Sequence, residues 1–229
     1  MAVPNLTQPV FMIGGMRVAT ILEQVKQAII EGDEDAAQAH ADEALQQGVS
    51  PLAVVKEAIV PGIERTGELW KENVYFMPDV VLSTEAFKAA MNAVAPQLAA
   101  LTADSRGRYV MGVVAGDMHD LGKNIVAAML TGAGFEVIDL GVDVPTPTFI
   151  EKVKELKPDI LGVGCYMTTT MLELREVMKG LSDNGLRGSL KVMVGGVPTT
   201  QSFADEVGAD AWGKDALDAV EKARWLMEK

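Results

Sequence analysis

The stretch Gly116-Asp117-Met118-His119-Asp120-Leu121-Gly122-Lys123-Asn124 places a carboxylate two residues before a histidine and a glycine three residues after it. A loop of this composition can hold a metal through the imidazole. The loop follows the apolar run Tyr109 to Val114 and precedes Ile125, Val126, Met129 and Leu130, which recur at the spacing of a helix face. The local order is therefore strand, loop, helix, and ligands of open α/β sheets bind at such strand ends. A glycine loop that opens a helix is also a common phosphate cradle. A Walker loop, however, needs four residues between its glycines and then Lys-Ser/Thr, whereas five separate Gly116 from Gly122 and Asn124 replaces the hydroxyl. The dinucleotide pattern G-x-G-x-x-G is absent as well. On composition alone, a single loop histidine is more often hydrogen-bonded to its neighbours than bound to a metal.

The elements around this loop predict an α/β half. Apolar strand-like runs occur at Tyr109 to Val114, Phe135 to Asp139, Ile160 to Gly164, Val192 to Val194 and Ala211-Trp212. Helical segments alternate with them at about Gly122 to Gly132, Thr148 to Leu156, Thr170 to Asn184, Gln201 to Val207 and Asp215 to Met227. That alternation predicts a doubly wound, five-stranded parallel sheet, a Rossmann-like arrangement. Three signals then fall at the carboxyl ends of strands one, three and four: the Asp117/His119/Gly122 loop, the run Gly164-Cys165-Tyr166-Met167-Thr168-Thr169-Thr170, and Val194-Gly195-Gly196.

The front half reads as helices only. Val18, Ile21, Leu22, Val25 and Ile29 form one stripe ended by Gly32, and Glu34 to Gln47 is an alanine-rich second helix closed by Gly48. Ser50-Pro51 is an N-cap followed by proline at the first helical position, opening a third helix through Val54, Val55, Ile59 and Ile63. A fourth starts near Pro78 and runs through Val81, Phe87, Met91, Val94 and Leu98. Together they predict a four-helix bundle over residues 1–101, joined by a polar linker at 102–107 to the sheet domain at 108–229. Trp70, Tyr75, Phe76 and Met77 read as core on periodicity.

Composition narrows the function classes. A formal net charge of −12 argues against a nucleic-acid footprint and an anionic membrane surface. A single cysteine, Cys165, excludes a disulfide framework and a thiolate metal cluster, and reads as a small buried hydrophobe. No signal peptide and no continuous membrane-length apolar run are visible, so the expectation is a soluble, cytoplasmic protein. His40, on the acidic second helix, reads as a surface histidine, and Asp120 as a helix N-cap as readily as a chemical group.

The three strand-end signals resemble the cobalamin-binding signature D-x-H-x-x-G, then S-x-L, then G-G. Forty-one residues lie between Gly122 and Gly164 and 28 between Tyr166 and Gly195, at the family's usual separations. Gly164 and Tyr166 stand where many relatives have serine and leucine. Gly67-Glu68-Leu69-Trp70 and Tyr75-Phe76-Met77-Pro78 are similar to the helical cap of methionine synthase and of corrinoid proteins of methyltransferase systems. The resemblance implies a corrinoid, cobalamin or a relative, bound base-off/His-on with His119 as the cobalt ligand. Asp117 would accept a hydrogen bond from the other ring nitrogen, fixing the tautomer and raising basicity, and Thr168 and Thr170 would bond the nucleotide tail or Asp117. Gly122, Gly195 and Gly196 would leave room for that tail, with Gly116, Met118, Leu121 and Val197 beside the corrin. Phe76 and Met77 would cover its upper face, and the linker would hinge.

The function so implied is a methyl carrier. Co(I) accepts a methyl group from a substrate-specific methyltransferase acting on an O-, N- or alcohol methyl donor, and a second methyltransferase with tetrahydrofolate or a thiol takes it. His119, Asp117 and Thr170 are the residues expected to act with the metal, and a reductive activator would restore oxidised Co(II). The rival readings are a cobalamin-dependent sensor, the small subunit of a carbon-skeleton mutase, and an acidic phospho-acceptor domain.

Overall fold

A computed structural model of the protein describes residues 11–100 and 106–228. The described residues form two compact units, divided between Gln97 and Leu98. Of the predicted linker, residues 102–105 lie outside the described residues. Its last two residues already pair within the second unit: the Arg106 N–H donates to the Gly134 carbonyl and the Gly107 carbonyl accepts from Glu136.

The first unit is helical: α1 (Phe11–Glu31), α2 (Glu34–Gln46), α3 (Pro51–Val54), α4 (Val60–Lys71) and α5 (Met77–Ala100). Asp33 and Ser50 cap α2 and α3 by accepting from the N–H groups of Ala36 and Ala53. The predicted third helix is interrupted, because Val55–Ile59 is a π-helical segment between α3 and α4. Pro61 lies just beyond it; a residue without an N–H cannot extend an α ladder, and the wider π turn absorbs the defect. Ile21, Val25, Ile29, Val54, Val55, Ile59, Phe87 and Val94 form the buried stripe. Val81, expected on that stripe, is exposed, and so are Trp70, Phe76 and Met77. Of the four residues read as core, only Tyr75 is tied in, through its hydroxyl to the Ile30 carbonyl at 2.9 Å.

The second unit is the predicted sheet. Strands β1 (Arg108–Val113), β2 (Glu136–Asp139), β3 (Ile160–Gly164), β4 (Lys191–Gly195) and β5 (Ala211–Gly213) are all parallel, in the order β2-β1-β3-β4-β5. Helices α6 (Leu121–Gly132), α7 (Thr146–Leu156), α8 (Met171–Asp183), α9 (Gln201–Val207) and α10 (Ala216–Met227) connect and follow them. Val114 leaves the ladder and makes an isolated bridge to Val144. On one face Val110, Leu161, Val163, Val192 and Val194 meet Phe149, Val153, Leu174, Val177 and Leu181 of α7 and α8. On the other, Tyr109, Met111, Ile160 and Met193 lie on the side of the paired helices α6 and α10. Among the described residues no helix is long and apolar enough to cross a membrane.

One glycine is set by packing on this second face. A Cβ at Gly162 would lie 2.6 Å from the ring of Tyr109, which is almost wholly buried. Gly162→Ala is expected to lower the urea midpoint, at an overpacking cost of about 1–3 kcal/mol. Gly67→Ala, in open space within α4, should raise it by roughly 0.5–1 kcal/mol.

Candidate functional site

The site is built at the point where the strand order reverses, between β1 and β3, where an open α/β sheet leaves a crevice beyond its strand ends. After β1 the chain turns at Gly116, whose φ of 76° lies in the left-handed region that a side chain would oppose. The turn is held by the loop after β2. The Gly116 N–H donates to Asp143 Oδ1 at 2.6 Å, and the Asp143 N–H donates to the Asp117 carbonyl at 3.0 Å. Asp143 itself carries a φ of 52°.

This turn buries the Asp117 side chain completely and aims it at the exit of β3. Asp117 Oδ2 accepts from the Tyr166 N–H at 2.6 Å, the Met167 N–H at 3.2 Å and the Thr170 hydroxyl at 3.1 Å. Oδ1 faces the His119 N–H at 3.2 Å and His119 Nδ1 at 2.7 Å. Burial pushes the carboxyl up, but these donors, led by the Tyr166 N–H and the His119 ring, outweigh it and hold Asp117 below the usual carboxylate range. An ionised Asp117 is acceptor-only, so Nδ1 faces it as an N–H donor and Nε2 is the ring nitrogen turned away from it. The His119 side chain is 57% exposed, so the ring is presented to solvent with its Nδ1 edge held on a buried carboxylate.

The three strand-end signals therefore converge only in part on Asp117. Thr170 bonds the carboxylate, whereas Thr168 is exposed and its hydroxyl has no partner among the described residues. Asp120 occupies the N-cap position of α6 without a capping bond, and Leu121 and Gly122 begin that helix. Cys165 is buried. Met118 and Val197 project into solvent from the first and fourth strand ends, and Phe76 and Met77 are exposed on the helical unit.

The glycines do different things. A Cβ at Gly196 would lie 1.9 Å from the Cys165 carbonyl oxygen, so that residue is glycine for backbone approach. At Gly195 a Cβ would meet only the Gly213 carbonyl, at 3.2 Å. Gly164, Gly195 and Gly213 are in register across β3, β4 and β5. Their row faces α10, since a Cβ at Gly213 would touch Ala219. Across β3, β4 and β5 it leaves the carboxyl edge of this face without side chains, with Val113 of β1 in register beside Gly164. Gly213 escapes sequence reasoning because one glycine after a two-residue apolar run carries no pattern. Lys123 escapes it too: it is 4% exposed, inside α6, and pairs with Asp139 at the end of β2 and with Asn124 Oδ1. In the sequence it stands out only as part of the Gly122-Lys123-Asn124 run, which carries no hint of the pairing with Asp139.

Two family models, each described as a B12 binding domain, match residues 21–95 and 107–221. Trimethylamine corrinoid protein 2 of Methanosarcina acetivorans is 42% identical over 89% of this chain and 95% of its own length. The chain belongs to the corrinoid proteins. The solved structure of the Methanosarcina barkeri monomethylamine corrinoid protein matches this corrinoid protein with a TM-score of 0.79 and 30% identity, covering 91% of this chain and 99% of the other. The methanol:cobalamin methyltransferase complex MtaBC of the same organism contains a chain that matches with a TM-score of 0.53 and 29% identity, covering 98% and 86%. The site suits the cofactor. A corrin ring brings its own equatorial nitrogens, so one protein nitrogen suffices, and among the described residues no group of three or more His, Cys, Asp or Glu could hold an ion.

The donor geometry around Asp117 makes a prediction that needs no cofactor. In Asp117→Asn the amide oxygen must turn to the three donors at the Oδ2 position, which leaves the NH2 facing His119 Nδ1. The ring is then forced to protonate at Nε2. Ring 15N shifts of the empty protein at neutral pH should show Nδ1–H in the wild type and Nε2–H in Asp117→Asn; the same tautomer in both would refute the orientation described.

Proposed function

We propose that this corrinoid protein is a methyl carrier working between two methyltransferases, with His119 Nε2 as the lower axial ligand of a base-off corrinoid. The observation that carries the reading is the 2.7 Å contact between a fully buried Asp117 and a solvent-presented His119. The bound corrinoid supplies the cobalt that accepts and releases the methyl group; the protein supplies ligation and positioning. Asp117 holds the Nδ1 proton and thereby the orientation of Nε2, and Thr170 holds Asp117. The row Gly164, Gly195 and Gly213, with Gly122 across from it, receives the nucleotide tail. Gly116, Met118, Leu121 and Val197 lie at the strand ends beside the ring, Gly196 shapes the turn there, and exposed Thr168 is free to bond the tail. Phe76 and Met77 are the exposed apolar groups assigned to covering the reactive face, as the family resemblance implies.

The partners are a substrate methyltransferase holding an O-, N- or alcohol methyl donor, an acceptor methyltransferase with tetrahydrofolate or a thiol, and a reductive activator. The similarity to relatives named for trimethylamine and monomethylamine, and to a chain of a methanol methyltransferase complex, supports this division of labour. Activating such a donor needs a proton or a Lewis acid. His119, engaged on both nitrogens, supplies neither, so a partner must.

Two measurements test the reading. In the Co(II) form of the loaded protein, electron paramagnetic resonance should show nitrogen superhyperfine splitting that His119→Ala removes; splitting from a protein histidine in that variant would overturn the ligand assignment. Reduced, loaded protein should take methyl from methyl iodide, yet turn over a natural methyl donor only after a substrate methyltransferase is added. Sustained turnover by the chain alone, with reductant and tetrahydrofolate, would make it a self-sufficient enzyme instead.

A further inference from the structure

Tyr166 is the side chain at the third position of the second signal, where leucine is usual in the family. It lies two residues beyond Gly164, so the alternation of the strand brings it back to the side of the glycine row. Its ring reaches across that row's entrance. A Cβ at Gly164 would meet Tyr166 Cε2 at 3.4 Å, and a Cβ at Gly122 would meet Cε1 at 2.8 Å and the hydroxyl at 2.9 Å. The ring thus spans from the end of β3 to the first turn of α6, with the His119 ring 6.1 Å away, centroid to centroid.

The backbone and the side chain of Tyr166 are held very differently. Its N–H is fixed on Asp117 Oδ2 at 2.6 Å, so the loop cannot retract without loosening the carboxylate that orients His119. The phenol hydroxyl has no hydrogen-bond partner among the described residues. Rotating the ring about its side-chain torsions therefore breaks no hydrogen bond, and the residue is partly exposed.

We propose that the Tyr166 ring occupies the entrance of the tail path in the empty protein and swings aside when a tailed corrinoid loads, making it the residue that sets the rate and selectivity of cofactor uptake. The proposal rests on the reading that the nucleotide tail lies along the glycine row. Leucine, one ring shorter, would leave the gap between Gly122 and Gly164 open.

The test compares cobalamin with cobinamide, a corrinoid lacking the nucleotide tail, by stopped-flow absorbance on the empty full-length wild type, Tyr166→Leu and Tyr166→Phe. Because a conformational step lowers association rates, removing it should speed cobalamin association by about tenfold in Tyr166→Leu. The rate should stay within about twofold of wild type in Tyr166→Phe, which keeps the ring, and cobinamide association should be the same in all three. Wild-type rates for cobalamin in Tyr166→Leu, or equal acceleration of both corrinoids, would overturn the proposal while leaving the carrier reading intact. Failure of the wild type to bind either corrinoid would overturn the carrier reading itself. Ring placement is checked separately by proton NMR and thermal unfolding of the empty protein. Tyr166→Leu should shift the side-chain proton resonances of His119, whose ring lies 6.1 Å from the Tyr166 ring, without moving the midpoint by more than a few degrees. Unchanged His119 resonances in Tyr166→Leu would show that the ring does not stand there.

Discussion

The second unit is organised around one carboxylate. Asp117 gathers three donors from the exit of β3 on one oxygen and the histidine of its own loop on the other. A buried carboxylate without donors would be costly, while one that accepts from backbone N–H groups and a hydroxyl is stable and strongly directional. Joining the ends of β1 and β3 and orienting His119 are therefore one interaction. The segment after β2 joins the same arrangement through Asp143 and Gly116, and Lys123 ties α6 to Asp139 from the other side. The histidine is positioned by three strand ends, not by its own loop alone.

The sheet divides its labour by face. The face toward α7 and α8 is filled with branched and aromatic side chains to its carboxyl end. The face toward α6 and α10 is filled at its amino end by Tyr109, Met111, Ile160 and Met193, and then emptied by a row of glycines. Parallel register makes this possible, because residues paired across neighbouring strands point the same way. Side chains are omitted from one row while the backbone ladder stays whole.

Much of this was legible in the sequence. Alternating apolar runs and helical stripes predicted every strand of the sheet, and Ser50 and the glycine stops predicted the helix ends, because these follow from local periodicity and capping. The Asp117/His119 loop was legible as a chemical motif. What the sequence hid depends on register and on neighbours distant in the chain. Gly213 gains meaning only beside Gly195, and Gly196 only against the Cys165 carbonyl. Thr168 and Thr170 have the same side chain, and only the short 3-10 turn after Met167 decides which reaches the carboxylate. Trp70, Phe76 and Met77 looked like core because periodicity reports apolar spacing, not which side is covered.

The glycine row also alters how the domain stands up on its own. The row buries less apolar surface of its own than side chains there would, and on the proposed reading a bound corrinoid tail would cover it. Folding and loading are then one linked equilibrium: a ligand bound only by the native state adds about 2.7 kcal/mol at a hundredfold excess over its Kd. On that reading the corrinoid would stabilise the fold as well as equip it for chemistry.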